Sequence, residues 1–176
     1  MPILLDHMPF LKSTGEIAFR GENVLVRANQ IIIWVSLSVK RQKEPNPAAQ
    51  PFPAILDTGL AHSFAIQERH LVDWAGMRPD DLSVFGAVRD RGQRVLLRNA
   101  NVWVHRNECH SREPLADQPQ YPVSAPVGIA VYPGGDFPRL PIFGLQAIAD
   151  NELVLKVCGW RRMATLRTVR KWWPFG

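Results

Sequence analysis

Asp57, Thr58 and Gly59 stand in a row between two apolar runs, Ala54-Ile55-Leu56 and Phe64-Ala65-Ile66. The first run is apolar without alternation, as in a strand covered on both faces. A carboxyl group at the end of such a strand is expected to lose solvation, and burial disfavours its charged form. Gly59 lets the backbone turn sharply and be approached closely. The Thr58 hydroxyl donates one hydrogen bond and accepts others, so it can stitch the turn to a neighbour. Carboxylates hydrolyse peptide bonds in pairs that share one proton. One acts as base on a water, and the other hydrogen-bonds or protonates the carbonyl. The competing reading of Asp57 is a turn aspartate that caps its own backbone. His62, beside the turn, reads either as a residue tuning the acid or as a polar surface side chain.

Other groups with chemical potential are sparser. His105, Cys109 and His110 fit no standard zinc-ligand spacing, and no fourth ligand is evident, so neither a metal nor an organic cofactor is expected. Cys109 and His110 are also poor candidates for a thiol-imidazole pair, because nucleophile and base are neighbours in space rather than in sequence. No Gly-x-Ser-x-Gly elbow, phosphate loop or dinucleotide fingerprint occurs.

Ala54-Ile55-Leu56-Asp57-Thr58-Gly59 resembles the active-site signature of aspartic proteases. Leu140-Pro141-Ile142-Phe143-Gly144-Leu145 resembles the apolar-apolar-Gly segment that follows the flap in single-domain, retroviral-type proteases, the retropepsins. The likeness covers roughly residues 30 to 168. It implies an all-β, retropepsin-like acid protease barrel with a flap hairpin and one or two short helices. It further implies that Gln146–Asp150 is a helix and Leu153–Val157 the strand after it. Asp57 would be the catalytic acid, Thr58 and Gly59 its support, and Asp90, Arg91, Gly92 and Gln93 the tip of a substrate-binding flap. The chain departs from the family at Leu60, where a small residue is usual, and this bears on the shape of the pocket beside the acid. Only one Asp-Thr-Gly is present. A pair of acids would therefore be two copies of Asp57 facing each other across the two-fold axis of a homodimer. The implied activity is aspartic endopeptidase cleavage of polypeptides. The alternative is a catalytically inactive protein-binding or assembly module on the same fold.

The elements that must position these residues are mostly strands. Glu16–Arg20 and Asn23–Arg27, around Gly21-Glu22, read as a hairpin, and Ile31–Val39 as a long strand entering the core. Lys40–Pro51, with three prolines, reads as an exposed loop. Gln67–Gly76 reads as a short helix closed by Gly76. Leu82–Val88 and Arg94–Arg98 flank Asp90–Gln93 as a second hairpin. Asn101–His105 and Val127–Tyr132 read as strands, Arg106–Pro122 as a loop, and Met163–Leu166 as a strand pairing back on Leu153–Val157. The expected organisation is an N-terminal extension (1–28), the protease-like domain (29–168) and a basic aromatic tail (169–176).

The 176 residues suffice for one domain with a substantial core, and 46% are hydrophobic. Fifteen prolines and twelve glycines favour turns over long helices. The net charge is +5, but five basic residues and no acid fall in 161–176, leaving 16 basic against 16 acidic residues in 1–160. A neutral body argues against a nucleic-acid-binding face. The tail, with Trp172 and Trp173, is either a solvated or subunit-packed end or a weak contact for a membrane or an acidic partner. Two cysteines make no disulfide framework. With no secretory signal pattern and no apolar run of spanning length, the expected compartment is the cytoplasm.

Overall fold

The computed structural model describes residues 2–44, 49–115 and 121–169. Among the described residues, fourteen strands are joined by two short helices and one 3-10 turn. The strands are β1 (Ile3–Pro9), β2 (Gly15–Phe19), β3 (Glu22–Val26), β4 (Ile31–Val39), β5 (Phe52–Asp57), β6 (Phe64–Gln67) and β7 (Val84–Asp90). They continue as β8 (Gln93–Arg98), β9 (Ala100–His105), β10 (Tyr121–Val123), β11 (Ile129–Tyr132), β12 (Ile142–Gly144), β13 (Leu153–Cys158) and β14 (Met163–Thr168). Helix α1 is Glu68–Asp73, helix α2 is Leu145–Asp150, and the 3-10 turn is Pro79–Asp81. The basic aromatic tail lies outside the described residues apart from Val169.

The fold is all-β. Nine strands form one sheet in the order β10-β9-β4-β5-β12-β6-β11-β8-β7. A three-stranded sheet runs β1-β14-β13, and β2-β3 is a separate hairpin. The expected barrel is not closed: among the described residues β10 and β7 remain the two edges of the large sheet. A short β10 carrying Pro122 suits an edge, because proline has no N–H to give a further strand.

One apolar cluster joins the sheets. Leu4, Leu5 and Met8 of β1 pack in the same core as Ile33 and Val35 of β4, Phe64 and Ile66 of β6, Phe143 of β12 and Leu166 of β14. Strand β4 is buried along eight of its nine residues, which explains its nearly unbroken apolar run. Its serines are accommodated by partners on β9: Trp103 donates its indole N–H to Ser38 Oγ at 2.8 Å, and the His105 ring bonds Ser36 Oγ at 2.8 Å. Helix α1 closes as its sequence predicts. Gly76, at φ +66°, ends the turn, and its N–H donates to the Val72 carbonyl.

Two histidines are held inside. Burial lowers the pKa of His105 from 6.5 to about 4. Burial, then the charge of Arg69, lowers that of His70 to about 4 as well, against a smaller opposing effect of Asp73. A base whose folded pKa is depressed leaves stability intact above its unfolded value, and the loss grows as pH falls from 6.5 towards 4. Full protonation of each would cost on the order of 3 kcal/mol. The melting temperature is therefore expected to fall steeply across that window. His105→Gln keeps a donor for Ser36 without the titration, and its melting curve should be flatter over the same range. Parallel curves for the two proteins would remove His105 from the account.

Candidate functional site

Strand β5 ends at Asp57, and the chain loops through Thr58–Ser63 before β6 begins. Strands β5 and β6 do not pair with each other. Strand β12 lies between them, parallel to β5 and antiparallel to β6, with Gly144 opposite Asp57 and Phe143 opposite Phe64. The Gly144 N–H donates to the Ser63 carbonyl at 3.0 Å, and the Leu145 N–H to the Leu60 carbonyl at 3.1 Å. The loop is thus clamped to the end of β12 at two points. This needs a glycine: a Cβ on Gly144 would overlap the His62 carbonyl oxygen and stand 2.9 Å from that of Leu60. The late apolar-apolar-Gly segment and the Asp-Thr-Gly segment are one structural unit.

The carboxylate differs from expectation in one respect. Burial stops at Leu56 and resumes at Leu60, so Asp57, Thr58 and Gly59 are exposed in the single chain. Asp57 is the last residue of β5, where the chain leaves the sheet, and its exposure begins one residue past the buried Leu56. Its Oδ1 accepts the Gly59 N–H at 2.8 Å. A Cβ on Gly59 would stand 3.1 Å from that oxygen, so the glycine keeps the carboxylate uncrowded. Neither flanking strand fills the space in front of the acid.

That space is a cleft of about 630 Å³. Ile55, Leu140 and Ile142 give it an apolar side, and Asp57, Asp136, Arg27, Arg69 and Arg139 a charged one. Among the described residues none of the three arginines makes an ion pair. Burial, then the charge of Arg27, pushes the Arg139 guanidinium below its ordinary pKa, so the cations crowd one another. Arg139 spends one N–H on the Leu25 carbonyl at 2.8 Å. Three cations against two carboxylates leave the wall positive.

The hairpin β7-β8 turns through Arg91 and Gly92, at φ +49° and +79°, the signature of a two-residue primed turn. Its tip does not line the cleft; it grips the wall. The Arg91 guanidinium lies 3.9 Å from the centroid of Phe137, whose ring lines the cleft. Tyr132 donates its O–H to Asp90 Oδ2 at 2.5 Å. Burial first, then that bond and the Asp90 charge, raise the Tyr132 pKa, so the phenol stays a donor. Leu60, Val95, Tyr132 and Ile142 form a second small core that connects the hairpin to the Asp57 loop. Phe137, Tyr132 and the three arginines were not singled out by the sequence. Arg27 follows β3, Arg69 lies in α1, Tyr132 ends β11, and Phe137 and Arg139 share the loop before β12; only the fold brings these segments together.

The histidine-cysteine group is rearranged. His105 points inward to Ser36. Cys109 and His110 stay on the surface, where His7 of β1 joins them; their potential ligand atoms all lie within 4.8 Å of one another.

No family model, curated protein or solved structure matches the chain. What the site does has to be read from its own residues.

Gly144→Ala is expected to destabilise the fold by roughly 2–3 kcal/mol, because the obstacle is backbone on both sides. Gly86 has open space around its Cβ position, and Gly86→Ala should stay within about 0.5 kcal/mol of the parent. Urea unfolding of the two variants measures the difference. Equal midpoints would mean that the loop is not held by β12.

Proposed function

We propose that the protein is a retropepsin-like aspartic endopeptidase that works as a homodimer, with Asp57 of each subunit forming the catalytic pair. The observation that supports this most is the seating of an exposed Asp-Thr-Gly loop on the glycine end of β12, with its acid opening onto a cleft of peptide-binding size. The order β12, α2, β13 after the hairpin β7-β8 is the order the family resemblance implies. Exposure of Asp57, Thr58 and Gly59 together leaves a small polar surface that a second copy would cover.

In this reading a water lies between the two carboxylates. One accepts its proton as the oxygen attacks the scissile carbonyl, and the other supplies a proton to the carbonyl oxygen. Collapse of the tetrahedral intermediate then returns a proton to the leaving amine. Thr58 braces the two loops across the axis. Arg27, Arg69 and Arg139 favour peptides with acidic side chains, because among the described residues none of them makes an ion pair. The second reading, an inactive binding module, is favoured by one feature: the Asp57 carboxylate already caps the Gly59 N–H, as an ordinary turn aspartate does.

Sedimentation at micromolar concentration should show a dimer, and the wild type should cleave a peptide library that Asp57→Asn leaves intact. Cleavage should follow a bell-shaped pH profile, and KM for acidic peptides should rise with salt. Asp136 is the other carboxylate of the cleft, and Asp136→Asn should retain measurable cleavage. An active monomer that loses cleavage in Asp136→Asn would place the pair within one chain. A well-folded dimer without cleavage would establish the binding module.

A further inference from the structure

We infer that His7, Cys109 and His110 form a surface site for a divalent transition-metal ion of zinc-like softness, with Asp6 orienting His7, built by docking the Asn107–Ser111 turn onto a bulge in β1. The ligand types are right for such an ion: two imidazoles and a thiolate, with water to complete four-coordination. The site is independent of the peptidase reading.

The docking is specific. Asn107 is fully buried. Its Oδ1 accepts the Asp6 N–H at 2.7 Å, and its Nδ2 donates to the carbonyls of Asp6, Glu108 and Ser111 at 2.8 to 3.0 Å. The His110 N–H adds a bond to the Asp6 carbonyl. A buried amide thus spends its hydrogen bonds on fixing the turn against one residue of β1. The pairing of β1 with β14 is irregular between Leu5 and Met8, which lifts Asp6 and His7 out of the regular ladder.

The side chains are aimed as well as gathered. The rings of His7 and His110 stack 4.9 Å apart and within 7° of parallel. Both residues have positive φ, 47° and 63°, in the left-handed region that histidine enters more readily than most side chains. Asp6 Oδ1 lies 2.8 Å from His7 Nδ1. A carboxylate there keeps the proton on Nδ1 and leaves the Nε2 lone pair outward, the arrangement that orients metal-bound imidazoles. Cys109 Sγ lies 2.9 Å from His110 Nδ1, and its thiol also faces Asp6. Donors on one tetrahedral ion stand about 3.4–3.7 Å apart by the usual bond lengths. The separations here reach 4.8 Å at most, so rotation of exposed side chains closes the set. An entering ion takes the place of the thiol proton, which leaves to solvent as the thiolate forms.

Cobalt(II) is the probe, because a thiolate ligand adds a sulfur-to-metal charge-transfer absorption and tetrahedral geometry intensifies the visible bands. The full reduced chain should bind one Co²⁺ with both signatures, and Zn²⁺ should displace it. Cys109→Ser should abolish the charge-transfer band. His7→Ala should weaken binding at least about tenfold. Cys158→Ser should change neither, which excludes the other thiol. Zn²⁺ should raise the melting temperature of the wild type and not that of the His7→Ala/Cys109→Ser double variant. Absence of a charge-transfer band in the wild type, or equal affinity in His7→Ala, would overturn the site.

Discussion

The close approach of β12 to the Asp57 loop is the constraint on which the candidate site depends. Two strands joined by a six-residue loop would ordinarily pair as a hairpin. Here a third strand, arriving some eighty residues later, separates them and bonds to both. The wedge is possible because its last residue is Gly144, whose missing side chain admits the carbonyls of Leu60 and His62. The two backbone bonds at Gly144 and Leu145 then satisfy carbonyls that the open loop would leave to water. Phe143, fully buried, anchors the wedge in the main core. The acid's position is thus set by backbone contacts to buried strands, which are stiffer than any side-chain brace.

The same wedge explains why the hairpin tip and the acid loop are mechanically connected. Ile142 reaches into the small core that holds Leu60, Val95 and Tyr132. Movement of the hairpin tip would pull on Tyr132 through Asp90 and on Phe137 through Arg91, and both contacts lie beside the cleft. A hairpin with this attachment cannot change the cleft without disturbing the residues that pack on the acid's own loop. The charged tip suits such a role less through flexibility than through two directed contacts, a charged acceptor for a phenol and a cation over a ring.

Much of this was legible along the chain, for identifiable reasons. Strand β4, the two-residue turn at Arg91-Gly92, helix α1 with its terminal Gly76, and the β13-β14 hairpin each carry a local signal that the fold keeps. Strand β1 carries none. Pro2, Pro9 and the polar Asp6-His7 pair break its alternation, and the break is the bulge itself. Strand β10 was hidden by Pro122, tolerable only because the strand is an edge. The Asp57 motif was readable, but its exposure was not, since burial at a strand end depends on what stands in front of it. The cleft arginines and the meeting of His7 with the Cys109–His110 pair were illegible for the same reason. Their members are separated in sequence by loops whose paths no local rule determines.

The buried histidines bound the conditions under which any chemistry at Asp57 can operate. His105 sits on β9, next to β4, which in turn pairs with β5, the strand that ends at the acid. Charging His105 requires the interior of that strand pair to take up an ion beside the Ser36 hydroxyl. His70 faces the same problem against Trp74, with a buried ring nitrogen that lacks a hydrogen-bond partner among the described residues. Both penalties set in as pH falls below 6.5. Paired-acid hydrolysis is favoured by mild acidity, since one carboxyl group must keep its proton. On the proposed paired-acid reading, the fold itself would lose stability on the acid side through these two imidazoles, whatever the site does there.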